Sequence, residues 1–266
     1  MKIFNTKKIK IFPDTFLNSK KFLSLVKFFR LNMKIALAQI NPIVGDIRGN
    51  TKKIISIIKK TKAGIVVFPE LSTTGYSPQD LLLKRRFIEE NKSALKRIAQ
   101  NTKNKAVILG FVERADSCLY NSAAIIKNQQ ITGAHHKICL PNYTIFDEKR
   151  WFKEGINATA FEFNGRIIGI SICEDIWFPE TAKKQKDKGA ELIINISASP
   201  YRKGKIKDIE KVLKQRWEEN KIPIIFVNQV GAQDGIVYYG HSMYLKDGKI
   251  IKKCRNFEED ILVVDV

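Results

Sequence analysis

Continuous apolar runs alternate along the chain with stretches in which apolar residues recur at helical spacing. Ile35-Ala36-Leu37-Ala38-Gln39, Gly64-Ile65-Val66-Val67-Phe68 and residues 106–112 are unbroken aliphatic runs, the pattern of strands buried on both faces. After Asn50, which can cap a helix, Ile54, Ile55, Ile57 and Ile58 mark one helical face. Apolar residues at 81, 82, 87, 88, 95 and 98 predict a second helix over 80–100. Residues 121–126 and 131–137 read as an antiparallel pair turning at 128–130. Asn164-Gly165, between 161–163 and 166–168, is a hairpin signal. A helix over 180–188, a strand over 192–196, a helix over 206–220 and a strand over 224–228 follow. Residues 237–245 and 249–253 flank Asp247-Gly248 as a final hairpin. This mixture predicts an α/β fold, and with no internal repeat or low-complexity linker residues 33–266 read as a single domain.

One apolar run ends abruptly. Ile167 to Ile172 leads straight into Cys173-Glu174-Asp175, and Pro179 then suits the first turn of a helix. Cys173 is therefore expected at a strand-to-helix elbow, where helix-start N–H groups would favour a thiolate and could hold an oxyanion. Taken alone, a cysteine in this position is more often a small hydrophobe ending a core strand.

Composition narrows the choices. The net charge of +20 raises nucleic-acid binding, but the lysines are scattered and form no compact basic cluster interleaved with aromatics, so no specific nucleic-acid partner is expected. No apolar stretch is long enough for a transmembrane segment. Cys118, Cys139, Cys173 and Cys254 make no Cys-x-x-Cys, and His135-His136 with Cys139 lacks zinc-ligand spacing; free thiols, a cytoplasmic location and no metal are expected. Residues 1–32 differ from the remainder, with eight basic residues against Asp14. They read as a basic N-terminal extension outside the fold, in which 16–29 could form an amphipathic helix.

Two further polar residues end or follow apolar runs: Glu70 and Lys137. A thiol needs a base, which Glu70 could supply, and a tetrahedral intermediate needs a positive neighbour, which Lys137 could supply. Singly, Glu70 reads equally as a cap or ion-pair partner and Lys137 as a surface charge. Nothing in composition or spacing brings them together.

Three segments do resemble a known set. Phe68-Pro69-Glu70-Leu71-Ser72-Thr73-Thr74-Gly75-Tyr76, Lys137-Ile138-Cys139-Leu140-Pro141-Asn142-Tyr143 and Cys173-Glu174-Asp175-Ile176-Trp177 resemble the three successive motifs of the nitrilase (carbon–nitrogen hydrolase) superfamily. The resemblance implies an α-β-β-α sandwich, commonly paired between two subunits, and a Glu70–Lys137–Cys173 triad. Within the superfamily, 140–152, 172–177, 197–205 and 228–234 resemble the glutaminase domain of glutamine-dependent NAD synthetases. That resemblance implies Glu148 as an additional active-site glutamate, an oxyanion contact from the Glu174 N–H, and a pocket lined by Tyr143, Ser199 and Lys205. Gly235 and Tyr239 depart from the subgroup by replacing two acids.

The implied activity is release of ammonia from glutamine through a cysteine thioester. No Ser-Gly-Gly-x-Asp-Ser phosphate loop occurs in these residues. ATP and Mg are thus expected only of a synthetase part lying outside this chain, and no cofactor is expected here. A separate NAD synthetase subunit and a homo-oligomer are the expected partners. The competing expectations are a free-standing amidase acting on a small ω-amide, and a catalytically silent remnant.

Overall fold

The computed structural model describes residues 33–266; the amphipathic stretch expected over 16–29 lies outside the described residues. Two six-stranded sheets carry the fold. The first has the order β14-β1-β2-β3-β4-β5, from β1 (Lys34–Gln39), β2 (Ile65–Val67), β3 (Ala106–Ala115), β4 (Cys118–Lys127), β5 (Gln130–His136) and β14 (Asp260–Asp265). The second has the order β13-β12-β9-β8-β7-β6, from β6 (Thr159–Phe163), β7 (Arg166–Ile172), β8 (Leu192–Ser197), β9 (Ile224–Asn228), β12 (Met243–Lys246) and β13 (Lys249–Lys253). In each sheet three neighbours run parallel, β1-β2-β3 and β7-β8-β9, and antiparallel strands complete the edges.

The continuous apolar runs are explained by what each face meets. Alternate side chains of the first sheet (Ile35, Leu37, Ile65, Val67, Ile108) pack against Ile168, Ile170, Ile172, Ile194 and Ile225 of the second. The intervening residues Ala36, Val66, Phe68 and Val107 face outward, onto Ile54 and Ile58 of α1 (Ile47–Lys60) and Leu95 and Ile98 of α2 (Arg85–Ala99). On the far side, Ile193, Phe226 and Met243 pack on Ala182 of α3 (Pro179–Asp187) and on Ile209 and Leu213 of α4 (Lys205–Asn220). With both faces of the central strands removed from water, an isoleucine there contributes about 1.5–3 kcal/mol through burial whichever face it falls on. The layers run α-β-β-α, the nitrilase-like arrangement.

Several local expectations are corrected. Asp46, not Asn50, caps α1: its Oδ1 accepts the Gly49 N–H at 2.8 Å. Asn50 lies inside the helix and ties the preceding loop, accepting from the Ile43 N–H and donating to the Ile43 carbonyl. The helix expected over 80–100 is interrupted at Lys84, whose extended backbone separates a 3-10 turn (Gln79–Leu83) from α2. The strand expected over 237–245 is two strands: Gly240 (φ 67°) and His241 (φ 60°) turn the chain between β11 (Ile236–Tyr239) and β12. β11 pairs instead with β10 (Val230–Gln233), which was not anticipated. The hairpin at Asp247-Gly248 is not the last element either. β14 follows it and closes the first sheet against β1, with Lys34 opposite Asp265.

Candidate active site

The parallel strands present their carboxyl ends at one edge of each sheet, the place where such sheets hold ligands. Glu70 follows β2, Cys173 follows β7, and Ser199 follows β8; Lys137 follows β5, an antiparallel edge strand. The turn carrying Glu70 lies directly on β3, with the Gly110 N–H donating to the Pro69 carbonyl at 3.2 Å. A Cβ at Gly110 would stand 2.2 Å from the Leu71 nitrogen, so only glycine lets this turn approach the strand.

Glu70 is fully buried and satisfied on both oxygens. Oε1 accepts from Lys137 Nζ and from Asn121 Nδ2, each at 2.7 Å, and Oε2 accepts the Ala198 N–H at 2.8 Å. The buried Lys137 also donates to Glu148 Oε1 at 2.7 Å, and its own backbone N–H donates to the Asn121 carbonyl. Glu148 Oε1 additionally accepts the Tyr76 hydroxyl at 2.6 Å. Its Oε2 is buried without a hydrogen-bond partner, and Glu148 lines a cavity of about 160 Å³ together with Tyr76, Phe146, Trp151 and Tyr238.

One ammonium thus faces two carboxylates. Burial alone would lower the Lys137 pKa, but Glu148 and Glu70 hold it well above its ordinary value. The second carboxylate is then undercompensated. Burial and the charge of Glu70 push Glu148 up to about 7, against the opposing pull of Lys137.

Cys173 sits at the elbow with φ 46°, a conformation seldom adopted by residues other than glycine. The elbow is a 3-10 turn (Cys173–Ile176) preceding α3, whose Pro179 occupies the first turn as expected. The thiolate that helix-start N–H groups would favour is opposed by the surroundings of the sulfur. Burial first, and then the negative charge of Glu70, drive the Cys173 thiol well above its ordinary value; Lys137 offsets only part of this. Attack by the sulfur therefore calls for a base that takes its proton.

The remaining candidates fall into two groups. Lys205 opens α4, with Nζ 4.0 Å from the Trp177 ring centroid, and burial lowers its pKa while Cys173 and Glu174 oppose that shift. Tyr143 donates its hydroxyl to Glu174 Oε1 at 2.9 Å on an open groove. Ser199 is buried but is tied through its backbone N–H to Asn228 Oδ1 at 2.8 Å, not to the carboxylate–lysine cluster. Sequence reasoning missed Asn121, Tyr76, Ala198 and Asp175. Asn121 was visible as a polar residue inside an apolar strand; Tyr76 and the Ala198 N–H carry no such signal. Among the described residues, no group of three or more His, Cys, Asp or Glu could hold a metal ion.

The chain resembles known proteins along nearly its whole described length. It is 41% identical over 237 residues to the glutamine-dependent NAD(+) synthetase of Aquifex aeolicus, covering 87% of this chain but 42% of that protein. The Thermotoga maritima synthetase is 38% identical over 242 residues, with 42% of its length covered. The chain therefore spans less than half the length of these relatives. Among solved structures, the glutamine-dependent NAD+ synthetase of Acinetobacter baumannii in complex with ADP superposes with a TM-score of 0.85 at 35% identity, over 88% of this chain and 45% of that one. A nitrilase-superfamily amidase from Nesterenkonia, 22% identical with a TM-score of 0.79 over 88% of this chain and 90% of its own, shares the fold. Residues 34–266 match the carbon–nitrogen hydrolase family model, and the chain belongs to the carbon–nitrogen hydrolase family.

Proposed function

We propose that this protein hydrolyses the side-chain amide of glutamine through a thioester on Cys173 and supplies the ammonia to an NAD synthetase reaction carried out outside these residues. The observation that carries this reading is the buried Glu70–Lys137 pair, whose charges reach the Cys173 thiol, in a chain whose relatives are glutamine-dependent NAD(+) synthetases.

Glu70 accepts the thiol proton as the sulfur attacks the amide carbon. The carbonyl oxygen becomes an oxyanion held by Lys137 Nζ and by the Glu174 N–H, which lies in the first turn of its 3-10 segment and has no helical acceptor. Glu70 returns its proton to the nitrogen, the C–N bond breaks, and ammonia departs from a glutamyl thioester. Water that has given a proton to Glu70 attacks the thioester; glutamate leaves and Cys173 regains its proton. Glu148 holds Lys137 in place, while Tyr143, Ser199 and Lys205 position the substrate, Lys205 beside its α-carboxylate. No metal or cofactor takes part in these steps. A cytoplasmic, homo-oligomeric enzyme with four free thiols suits this chemistry. Among the described residues no helix is long and apolar enough to cross a membrane.

The test supplies glutamine and measures glutamate and ammonia, with and without an ammonia-dependent NAD synthetase. Stoichiometric release that rises on adding the synthetase is expected. Inertness toward glutamine with turnover of another small amide would replace this reading by that of a free-standing amidase. Inertness toward every amide would leave a silent remnant.

Glu148 gives the reaction a pH dependence. Above about 7 its carboxylate is ionised and anchors the Lys137 ammonium in position; below that value the protonated acid grips the amine less firmly, although the amine itself keeps its charge. kcat is expected to fall as the pH drops through about 7, and Glu148→Gln to abolish this limb. An unchanged limb in the variant would assign it to another group. Stability carries the opposite sign. The folded protein retains a proton that the unfolded chain has lost between about 4.5 and 7, so the contribution of Glu148 is complete below 4.5 and lost as pH rises through 7.

A further inference from the structure

Asp175 is fully buried, two residues beyond Cys173, and touches neither Glu70 nor Lys137 through its side chain. Each of its oxygens nevertheless accepts two N–H donors. Oδ1 accepts from the backbone of Ile138 at 3.0 Å and Cys139 at 2.8 Å, the two residues after Lys137. Oδ2 accepts from the backbone of Ile172 at 2.9 Å, the residue before Cys173, and lies 3.0 Å from His135 Nε2. A carboxylate can only accept, so His135 carries a proton on Nε2, and its Nδ1 lies 3.2 Å from the Thr159 hydroxyl oxygen. Both side chains of the pair are wholly removed from solvent. The carboxylate is saturated by donors from β5, from the loop after Lys137 and from the end of β7. It bridges the two sheets at the positions that flank the amine and the sulfur.

We propose that Asp175, oriented by His135, is a positioning residue that sets the separation of Lys137 from Cys173, an inference that rests on reading the site as a thiol-dependent amide hydrolase. The clamp acts through backbone on both sides. Its ends lie one residue from each functional group, so loosening it displaces the oxyanion donor relative to the nucleophile without removing either. Misplacements of about 1 Å in such geometry cost on the order of 100-fold in rate.

The test uses Asp175→Asn, which keeps the volume but offers only one carbonyl oxygen to four N–H donors, so one end of the clamp must be released. With glutamine, kcat per titratable Cys173 is expected to fall about 100-fold while KM stays within about threefold. A purely structural residue would instead lower the fraction of folded, titratable sites and leave kcat per site unchanged. That result overturns the proposal. Should Asp175→Asn fail to fold, His135→Leu and His135→Gln carry the test. Leucine removes the donor and is expected to lower kcat about tenfold, and glutamine, which can donate from its amide, to restore most of it. Equal kcat for the two variants and wild type sinks the clamp. A second readout separates it from the substrate assignment. Iodoacetamide alkylates Cys173 as sulfur displaces iodide and the thiol proton is lost, and the rate is followed at that residue by peptide mass mapping. Slower labelling in Asp175→Asn than in wild type supports the clamp even if glutamine proves to be the wrong amide; equal labelling rates count against it.

Discussion

Ammonia release is expected to fall on the order of 10⁶-fold in Cys173→Ala, the scale on which a covalent hydrolase loses rate with its nucleophile. Neither Cys254 nor Cys139 can take its place. Cys254 is buried and pushed up to about 12 by that burial, and Cys139 is likewise raised to about 12, first by burial and then by Asp175. Neither supplies thiolate at neutral pH. The fold should tolerate the change, because alanine removes one sulfur atom and keeps a Cβ at the same left-handed backbone position. Ammonia and glutamate assays on folded variant, with thermal unfolding to check integrity, decide the matter. Retention of full activity would exclude the thioester route and with it the mechanism proposed above.

How much of this was legible in the sequence depended on what each residue faces. The buried strands announced themselves, since in a four-layer fold both faces of β1, β2, β7 and β8 are apolar and the run is unbroken. The helix break at Lys84 and the strand break at Gly240-His241 were harder, because each lies inside an apolar stretch that continues on the other side. Asn50 looked like a cap because it is polar and precedes a helical pattern; Asp46, one turn earlier, makes the cap with its side chain and leaves Asn50 to tie the loop. The site divides in the same way. Glu70, Lys137 and Cys173 each stood out at the end of an apolar run, but only resemblance to a family grouped them, since their convergence depends on contacts between residues as distant as Glu70 and Ala198. Around Cys173 the helix-start N–H groups favour a thiolate, while burial and then the charge of Glu70 oppose it, and only the second influence depends on contacts distant in sequence. Asp175 has no legible role within its motif, because nothing in its local sequence shows that its partners lie near residue 138.

Lys137→Met should separate the two functions of the buried cluster. Removing the amine takes one donor from the developing oxyanion, which costs about 3–4 kcal/mol of transition-state stabilisation, or roughly 10²–10³-fold in kcat. It also leaves Glu70 and Glu148 facing one another in a buried site with no cation between them. Breaking a buried ion pair from one side typically destabilises by about 3–5 kcal/mol. The pH dependence tells these effects apart. In wild type the raised Lys137 pKa means that its contribution is complete below the ordinary lysine value of 10.5 and is lost only above the raised one, so the ammonium stabilises throughout the neutral range. In the variant the stranded carboxylates can relieve their repulsion by binding protons. The gap in stability from wild type is therefore expected to be large at neutral pH and to close as pH falls, whereas the loss in kcat persists because methionine cannot stabilise an oxyanion at any pH. Urea unfolding at several pH values, paired with glutamine turnover at each, reads both quantities. A stability gap independent of pH would mean that the two carboxylates do not depend on Lys137 for their charge balance. An unaltered kcat would remove the amine from the reaction and leave the Glu174 N–H as the oxyanion donor.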